Sequence, residues 1–250
     1  AREFGAAMAE RGWMVMTGAG PGIMAAGLEG AGTDRSFGIN ITLPFESSAN
    51  EFIADDPKLI NFKYFFTRKV IFMKETHGYA LLPGGFGTMD EAFELLTLMQ
   101  TGKSPLTPVV LLDPPDSTYW DRWLDFVRLE LLNGGLISEN DLSLVHIFKD
   151  PQAAADHICH FYSSYHSMRY VKDRLVIRLN RTIDDEELLL LNSAFSDILV
   201  SGSIERCDPT GSEIEDSDFL DLERITFRYN RSSQSRLRLL IDEINNYEVT

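Results

Sequence analysis

The sequence predicts an α/β protein, a doubly wound parallel sheet followed by a small α+β module. Three observations carry this. Short segments apolar from end to end, such as WMVMT at residues 13–17 and PVVLL at 108–112, alternate with segments of helical periodicity. Strands of that kind are covered on both faces, the state of a parallel sheet layered between helices, and right-handed crossovers then wind it in both directions. Two glycine-rich turns stand at strand-to-helix junctions, the end of the sheet where such folds hold ligands.

Residues 1–11 (AREFGAAMAER) read as an amphipathic helix with Phe4 and Met8 facing in and Arg2, Glu3, Glu10 and Arg11 facing out. The helix opens without a cap, so a strand and its loop are expected to precede it. Residues 13–17 form a buried strand, 22–32 a helix, and 37–43 (FGINITL) a strand stopped by Pro44. The polar stretch 46–61 reads as a loop. Residues 62–76 read as a helix rich in aromatics, with Phe65 and Phe66 expected in the core or, for one of them, against a bound base that it could stack on. A strand at 79–82 ends at Pro83. Residues 89–101 form a helix apolar on nearly every face, hence expected to be largely buried. Strand 108–112 follows, then an amphipathic helix at 119–133 whose Trp120 and Trp123 pack on the sheet. A short strand at 145–148 and a helix from 151 to about 165 close a first domain, 1–165.

Beyond it, residues 166–250 follow a different pattern. Residues 174–181 (RLVIRLNR) alternate apolar and basic side chains, which predicts a strand with one wet face. A helix at 184–195, a strand at 198–204, a strand at 224–230 and a helix at 232–245 complete a small α+β module. The stretch 205–223 holds eight acids against one base, Arg206, and reads as a solvated loop.

With 250 residues, 44% of them hydrophobic, the chain can bury a real core, and no run is long and apolar enough to span a bilayer. Cys159 and Cys207 stand far apart, so neither a disulfide scaffold nor a structural zinc site is expected, and the reducing cytoplasm is the expected compartment. His157 and His160 stand one helical turn apart with no third ligand in view, so no metal site is called. A net charge of −15 excludes general nucleic-acid binding, which needs a basic surface. It leaves small phosphorylated ligands open, because backbone N–H groups at a helix N-terminus can hold an anion on an acidic protein.

The first glycine turn is TGAGPG at residues 17–22, with Gly18, Gly20 and Gly22 before a helix carrying Met24. It departs from the dinucleotide fingerprint, which would need glycine at Ile23 and an acid some twenty residues on, and no G-K-[ST] follows to make a P-loop. No dinucleotide or other cofactor is therefore expected. The second turn is PGGFGTMDE at residues 83–91. Gly84, Gly85, Gly87 and Thr88 at a helix start form a nest of N–H donors suited to a phosphate. Thr88-x-x-Glu91 also spells a capping box, in which Glu91 would only bond the Thr88 N–H. The local pattern leaves Glu91 open between cap and catalyst.

PGGFGTMDE, with Arg68-Lys69 upstream and TGAGPGIMAA before that, resembles the LOG family, the lysine-decarboxylase-like proteins marked by PGGxGTxxE. The resemblance runs from the first helix to about residue 165, through GINITLPFE, FFTRKVIFMKE and PVVLLD. It implies a Rossmann-like fold and hydrolysis of the N-glycosidic bond of a nucleoside 5′-monophosphate, giving free base and ribose 5-phosphate. A nucleotide-binding regulator without useful hydrolysis is the alternative. By match, Arg68 and Glu91 are the catalytic pair, and Gly84, Gly85, Gly87 and Thr88 hold the phosphate. Gly18, Gly20, Gly22, Met24 and Lys69 border the nucleotide, with Glu46 near the sugar. The family begins with a strand carrying an F-G-S-type turn, which matches the strand expected ahead of residue 1. Its cytokinin-activating members are shorter and lack the C-terminal module. Family members resemble one another in pairing through the helices around the site, so a homodimer or larger assembly is implied.

Overall fold

The computed structural model describes residues 1–41 and 49–247, and divides the chain into two compact units. The first comprises Ala1–Ser138 with Leu144–Cys159. The second comprises Glu139–Ser143 with His160–Thr250.

The first unit is mixed α/β. It begins with α1 (Arg2–Glu10), β1 (Val15–Thr17), α2 (Ile23–Ala31), β2 (Ser36–Ile41), β3 (Leu59–Phe62) and α3 (Phe65–Glu75). It continues with β4 (Tyr79–Leu81), α4 (Phe86–Gln100), β5 (Val109–Leu112), α5 (Tyr119–Phe126), β6 (His146–Phe148) and α6 (Pro151–His160). Among the described residues all pairings in this unit are parallel, and they form two three-stranded sheets, β1-β2-β3 and β4-β5-β6. In register, Met16 pairs with Phe37, Ile39 with Ile60, Ala80 with Val110, and Leu111 with Ile147. β5 is buried at every residue, as its unbroken apolar run requires. One core cluster joins Phe4, Ala7 and Met8 of α1 to Val110 and Leu112 of β5 and to Ala154, Ala155 and Ile158 of α6, with Val15 and Ala80 packed against it.

Helices α1 and α2 cross at glycine. A Cβ on Gly5 would lie 2.2 Å from the Gly27 carbonyl oxygen, and one on Gly30 only 1.9 Å from that of Arg2. Only glycine lets the two backbones come this close, and an Arg2–Glu29 ion pair of 2.6 Å spans the crossing at the surface.

Several expectations for this unit are corrected. β3 occupies the end of the stretch expected to be loop. Helix α4 starts three residues before the expected 89, and only Ala92, Leu95 and Met99 of it are buried. No residue of α3 is buried, and Phe65 and Phe66 lie on the surface rather than in the core. Helix α6 ends at His160, and Tyr165 already belongs to a strand. Trp120 and Trp123 are buried and meet edge to face at 5.8 Å.

In the second unit β7 (Tyr165–Val171) and β8 (Arg174–Leu179) precede α7 (Asp185–Ala194), β9 (Glu205–Arg206), α8 (Gly211–Asp216), β10 (Glu223–Phe227) and α9 (Gln234–Asn246). The sheet is antiparallel in the order β7-β8-β10-β9. Strand β8 is central and buried on both faces, so its expected wet face does not exist. Its basic residue Arg178 is buried because Glu213 lies 2.7 Å and Asp218 2.5 Å from it. These acids come from the stretch expected to be a solvated loop. That stretch instead carries α8, opened by a Thr210/Glu213 capping box, and Glu213 also reaches buried Arg224 at 3.3 Å. The strand expected at 198–204 is a single bridge, Leu199 to Tyr229, after a 3-10 turn.

Candidate functional site

The two glycine turns follow β1 and β4, each at the carboxyl end of a parallel strand and the start of a helix. In the first, Thr17 Oγ1 accepts from the Ala19 N–H at 3.1 Å. Ala19 is fully buried at φ 59°, a left-handed conformation that costs a residue with a Cβ about 1 kcal/mol or more. Asn50 holds it there. The Asn50 side-chain amide donates to the Ala19 carbonyl at 2.9 Å and to the Gly20 carbonyl at 3.0 Å, and its backbone N–H also reaches Ala19 O at 2.9 Å. Met24 folds back over the turn, so that a Cβ on Gly18 would meet its sulfur at 2.9 Å and one on Gly20 its methyl at 2.5 Å. Gly22 sits at φ 70° and starts α2.

The second turn starts α4, with Gly85 as the N-cap residue and no side chain capping the helix. Phe86, Gly87 and Thr88 are therefore its first three residues, whose N–H groups point out of the helix end with no partner four residues back. A Cβ on Gly84 would fall 2.2 Å from the Thr88 hydroxyl, so this residue must be glycine for Thr88 to pack where it does. Gly85 and Gly87 differ. Neither has positive φ, and a Cβ on either would meet no described atom within 4 Å. Among the described residues nothing near Gly85 or Gly87 requires glycine there, and the open space in front of the N–H groups is what an anion needs.

Because Thr88 is inside the helix, it is not the N-cap, and the capping-box reading of Glu91 falls. Glu91 lies one turn further along α4 and turns toward α3. Its Oε1 stands 3.9 Å from Arg68 Nη2, while its Oε2 is buried and accepts no hydrogen bond among the described residues. Burial pushes the Glu91 carboxyl above its ordinary range, with the charges of Lys69 and Arg68 pulling it partly back and Glu94 and Asp90 adding to the rise. Arg68 lies over the rings of Phe65 at 5.0 Å and Phe72 at 5.9 Å, which orients its planar guanidinium. The same guanidinium comes within 3.6 Å of where a Gly18 Cβ would be. Arg68 thus links the first glycine turn to Glu91 on the helix of the second.

Lys69, expected to border the nucleotide, is placed between Asp90 at 2.6 Å and Glu94 at 2.7 Å on α4. Burial pulls its pKa down, but these carboxylates more than offset that and hold the ammonium charged. Glu46 lies outside the described residues. Two residues of the site were not anticipated. One is Asn50. The other is Tyr119, whose hydroxyl donates to the Gly84 carbonyl at 2.5 Å. Both act across at least thirty residues of chain on backbone carbonyls, a relation that leaves no local pattern to read. Among the described residues no cluster of three metal-ligating side chains occurs and no helix is long and apolar enough to cross a membrane.

Residues 16–158, more than half of the chain, match the family model described as "Possible lysine decarboxylase". The match takes in both glycine turns, Arg68 and Glu91. A search of curated proteins found no match.

Proposed function

The chain belongs to this lysine-decarboxylase-like family, the LOG family, and from that premise we propose that it hydrolyses the N-glycosidic bond of a nucleoside 5′-monophosphate. Water adds its hydroxyl to C1′ as the C1′–N bond breaks. The base leaves with the proton, and the sugar leaves as ribose 5-phosphate. The 5′-phosphate sits against the N–H groups of Gly85, Gly87 and Thr88 at the uncapped start of α4, where helix dipole and open space both favour an anion.

The observation that carries this reading is Glu91. It is a carboxylate largely removed from water, one oxygen without a hydrogen-bond partner among the described residues, one helical turn (about 5 Å along the axis) from the phosphate-holding Thr88. The transition state of glycosidic cleavage resembles an oxocarbenium ion, and a carboxylate near C1′ stabilises that charge or activates the attacking water. Arg68 orients the carboxylate and the nucleotide through a planar fork that lysine cannot copy. Gly18, Gly20, Gly22 and Met24 border the nucleotide on the far side of Arg68.

The lysines support hydrolysis over decarboxylation. A Schiff-base lysine must be neutral to attack, whereas Lys69 is held charged by two acids and Lys74 is exposed beside Glu75. Incubation with a panel of nucleoside monophosphates, with free base as the readout, tests the proposal. Release from at least one is expected. Tight binding without release from any of them would make the protein a nucleotide-binding regulator instead.

A further inference from the structure

We propose that Tyr119 is a positioning residue that locks the peptide between Gly84 and Gly85, so that the Gly85 N–H stays turned toward the bound phosphate. The inference rests on the reading of this turn as the phosphate seat. It begins from the geometry of one peptide unit. The Gly84 carbonyl and the Gly85 N–H belong to the same planar, trans group and point in opposite directions. A grip on the oxygen therefore sets where the N–H points. The grip matters here because both flanking residues lack a Cβ, and a glycine–glycine peptide turns over with little steric resistance. The Tyr119 hydroxyl supplies it by donating to the Gly84 oxygen at 2.5 Å.

Tyr119 is itself anchored in the sheet. Buried Asp113, just past β5, accepts from the Trp120 N–H at 3.0 Å and from the Ser117 hydroxyl at 2.7 Å, and the Ser117 oxygen accepts the Tyr119 N–H at 3.1 Å. The Asp113 N–H donates to the Phe148 carbonyl at 2.9 Å, tying the group to β6. Trp120, with no exposed surface, meets the Tyr119 ring edge to face at 4.9 Å. The path from β5 to the Gly84 oxygen is thus tied at every step by a hydrogen bond or a ring contact, while the turn it reaches is exposed and built of glycine. A bound anion on the Gly85 N–H would polarise the peptide and strengthen the Tyr119 bond at its other end, so that each contact favours the other.

Tyr119→Phe keeps the ring and removes only the hydroxyl. The test measures ribose 5-phosphate affinity by calorimetry, KM and kcat on the best nucleoside monophosphate, Gly85 amide exchange by NMR, and melting temperature. Affinity is expected to fall and KM to rise by about three- to tenfold, the worth of one hydrogen bond, with kcat changed less, Gly85 exchange faster in the ribose 5-phosphate complex, and melting temperature within a few degrees of wild type. Unchanged affinity in Tyr119→Phe, against a wild type that binds, overturns this inference alone. A joint collapse of affinity and melting temperature overturns it too, since Tyr119 would then be scaffold. A wild type that binds no ribose 5-phosphate defeats the phosphate reading itself, and this inference with it.

Discussion

Arg68 Nη2 and Glu91 Oε1 stand 3.9 Å apart, close enough for strong attraction and too far for a hydrogen bond. The pair is drawn together without being locked, and both side chains are mostly out of water, Arg68 at 15% and Glu91 at 23% exposure. The account places the nucleotide beside this pair, where both groups can reach it.

Glu91 should impose a pH signature of its own. Burial raises its pKa in the fold above the ordinary 4.5. The ionised form is the one that stabilises the sugar or activates water, so kcat/KM should rise with pH through a value above the usual carboxylate range. Stability runs the other way. The fold favours the protonated acid, so stability falls as pH rises from the ordinary to the raised value. Melting temperature followed across that window should slope down in wild type and lose that component in Glu91→Gln. An identical profile in the two would show that Glu91 titrates normally.

Gly87→Ala separates folding from binding. The methyl has open space, and alanine is the better helix former by up to about 1 kcal/mol. Thermal unfolding should therefore be unchanged or slightly raised. Ribose 5-phosphate affinity should fall at least tenfold, or about 1.4 kcal/mol, because the methyl occupies the approach to the N–H groups. Full affinity in this variant would place the anion elsewhere.

Helices α3 and α4 leave a large apolar surface bare. Phe86 is 97% exposed, Phe66 66% and Val70 57%, with Tyr64 and Phe65 about half exposed. Bare aromatic and branched side chains on two neighbouring helices are the composition of an interface, and a self-association through these helices is the expected use. Light scattering at micromolar concentration should give a dimer or larger, and Val70→Glu should shift it toward monomer. A monomeric wild type would count against it.

In the second unit, Glu213 is buried between Arg178 and Arg224. Burial pushes its carboxyl up, but bonds from the Thr210 N–H and hydroxyl, the Arg178 fork and the Arg224 charge win and bring it to about 2. The stabilisation is present above the ordinary 4.5 and is lost as pH falls toward 2, about 3 kcal/mol by linkage. Glu213→Gln should lower stability near neutral pH by a comparable or larger amount, since buried Arg224 loses its carboxylate and buried Arg178 is left with Asp218 alone, and should flatten the acid limb of the unfolding profile. Equal acid sensitivity in the two proteins would remove Glu213 from the account.

The parts of this molecule legible in its sequence are those written in local pattern. The all-apolar run 108–112 announces β5, the glycine turn at 17–22 announces the start of α2, and the turn at 83–88 announces that a helix follows β4. Where the reading failed, the deciding partner lay elsewhere in the chain. Arg178 on β8 looked wet because the acids that neutralise it, Glu213 and Asp218, are more than thirty residues on. Strand β3, LINF between polar neighbours, is short and half exposed, and its only signal is pairing with β2. Helix α4 was started too late because GGFGT is poor helix sequence, yet Phe86 to Thr88 are helical, and that shift of three residues is what removes Glu91 from the capping box. The clamps of Asn50 and Tyr119 on glycine-turn carbonyls had no sequence signal at all.

Base release by Glu91→Gln, compared with wild type on the same nucleoside monophosphate and read beside melting temperature and ribose 5-phosphate affinity, tests the central claim most directly. The account predicts that turnover falls by about two orders of magnitude or more, the range for a lost acid–base or electrostatic group, while melting temperature holds or rises and phosphate affinity changes little. Arg68→Lys should lose turnover in the same range with its charge intact. A Glu91→Gln protein that releases base at the wild-type rate would contradict the account, leaving the buried carboxylate with no part in the chemistry.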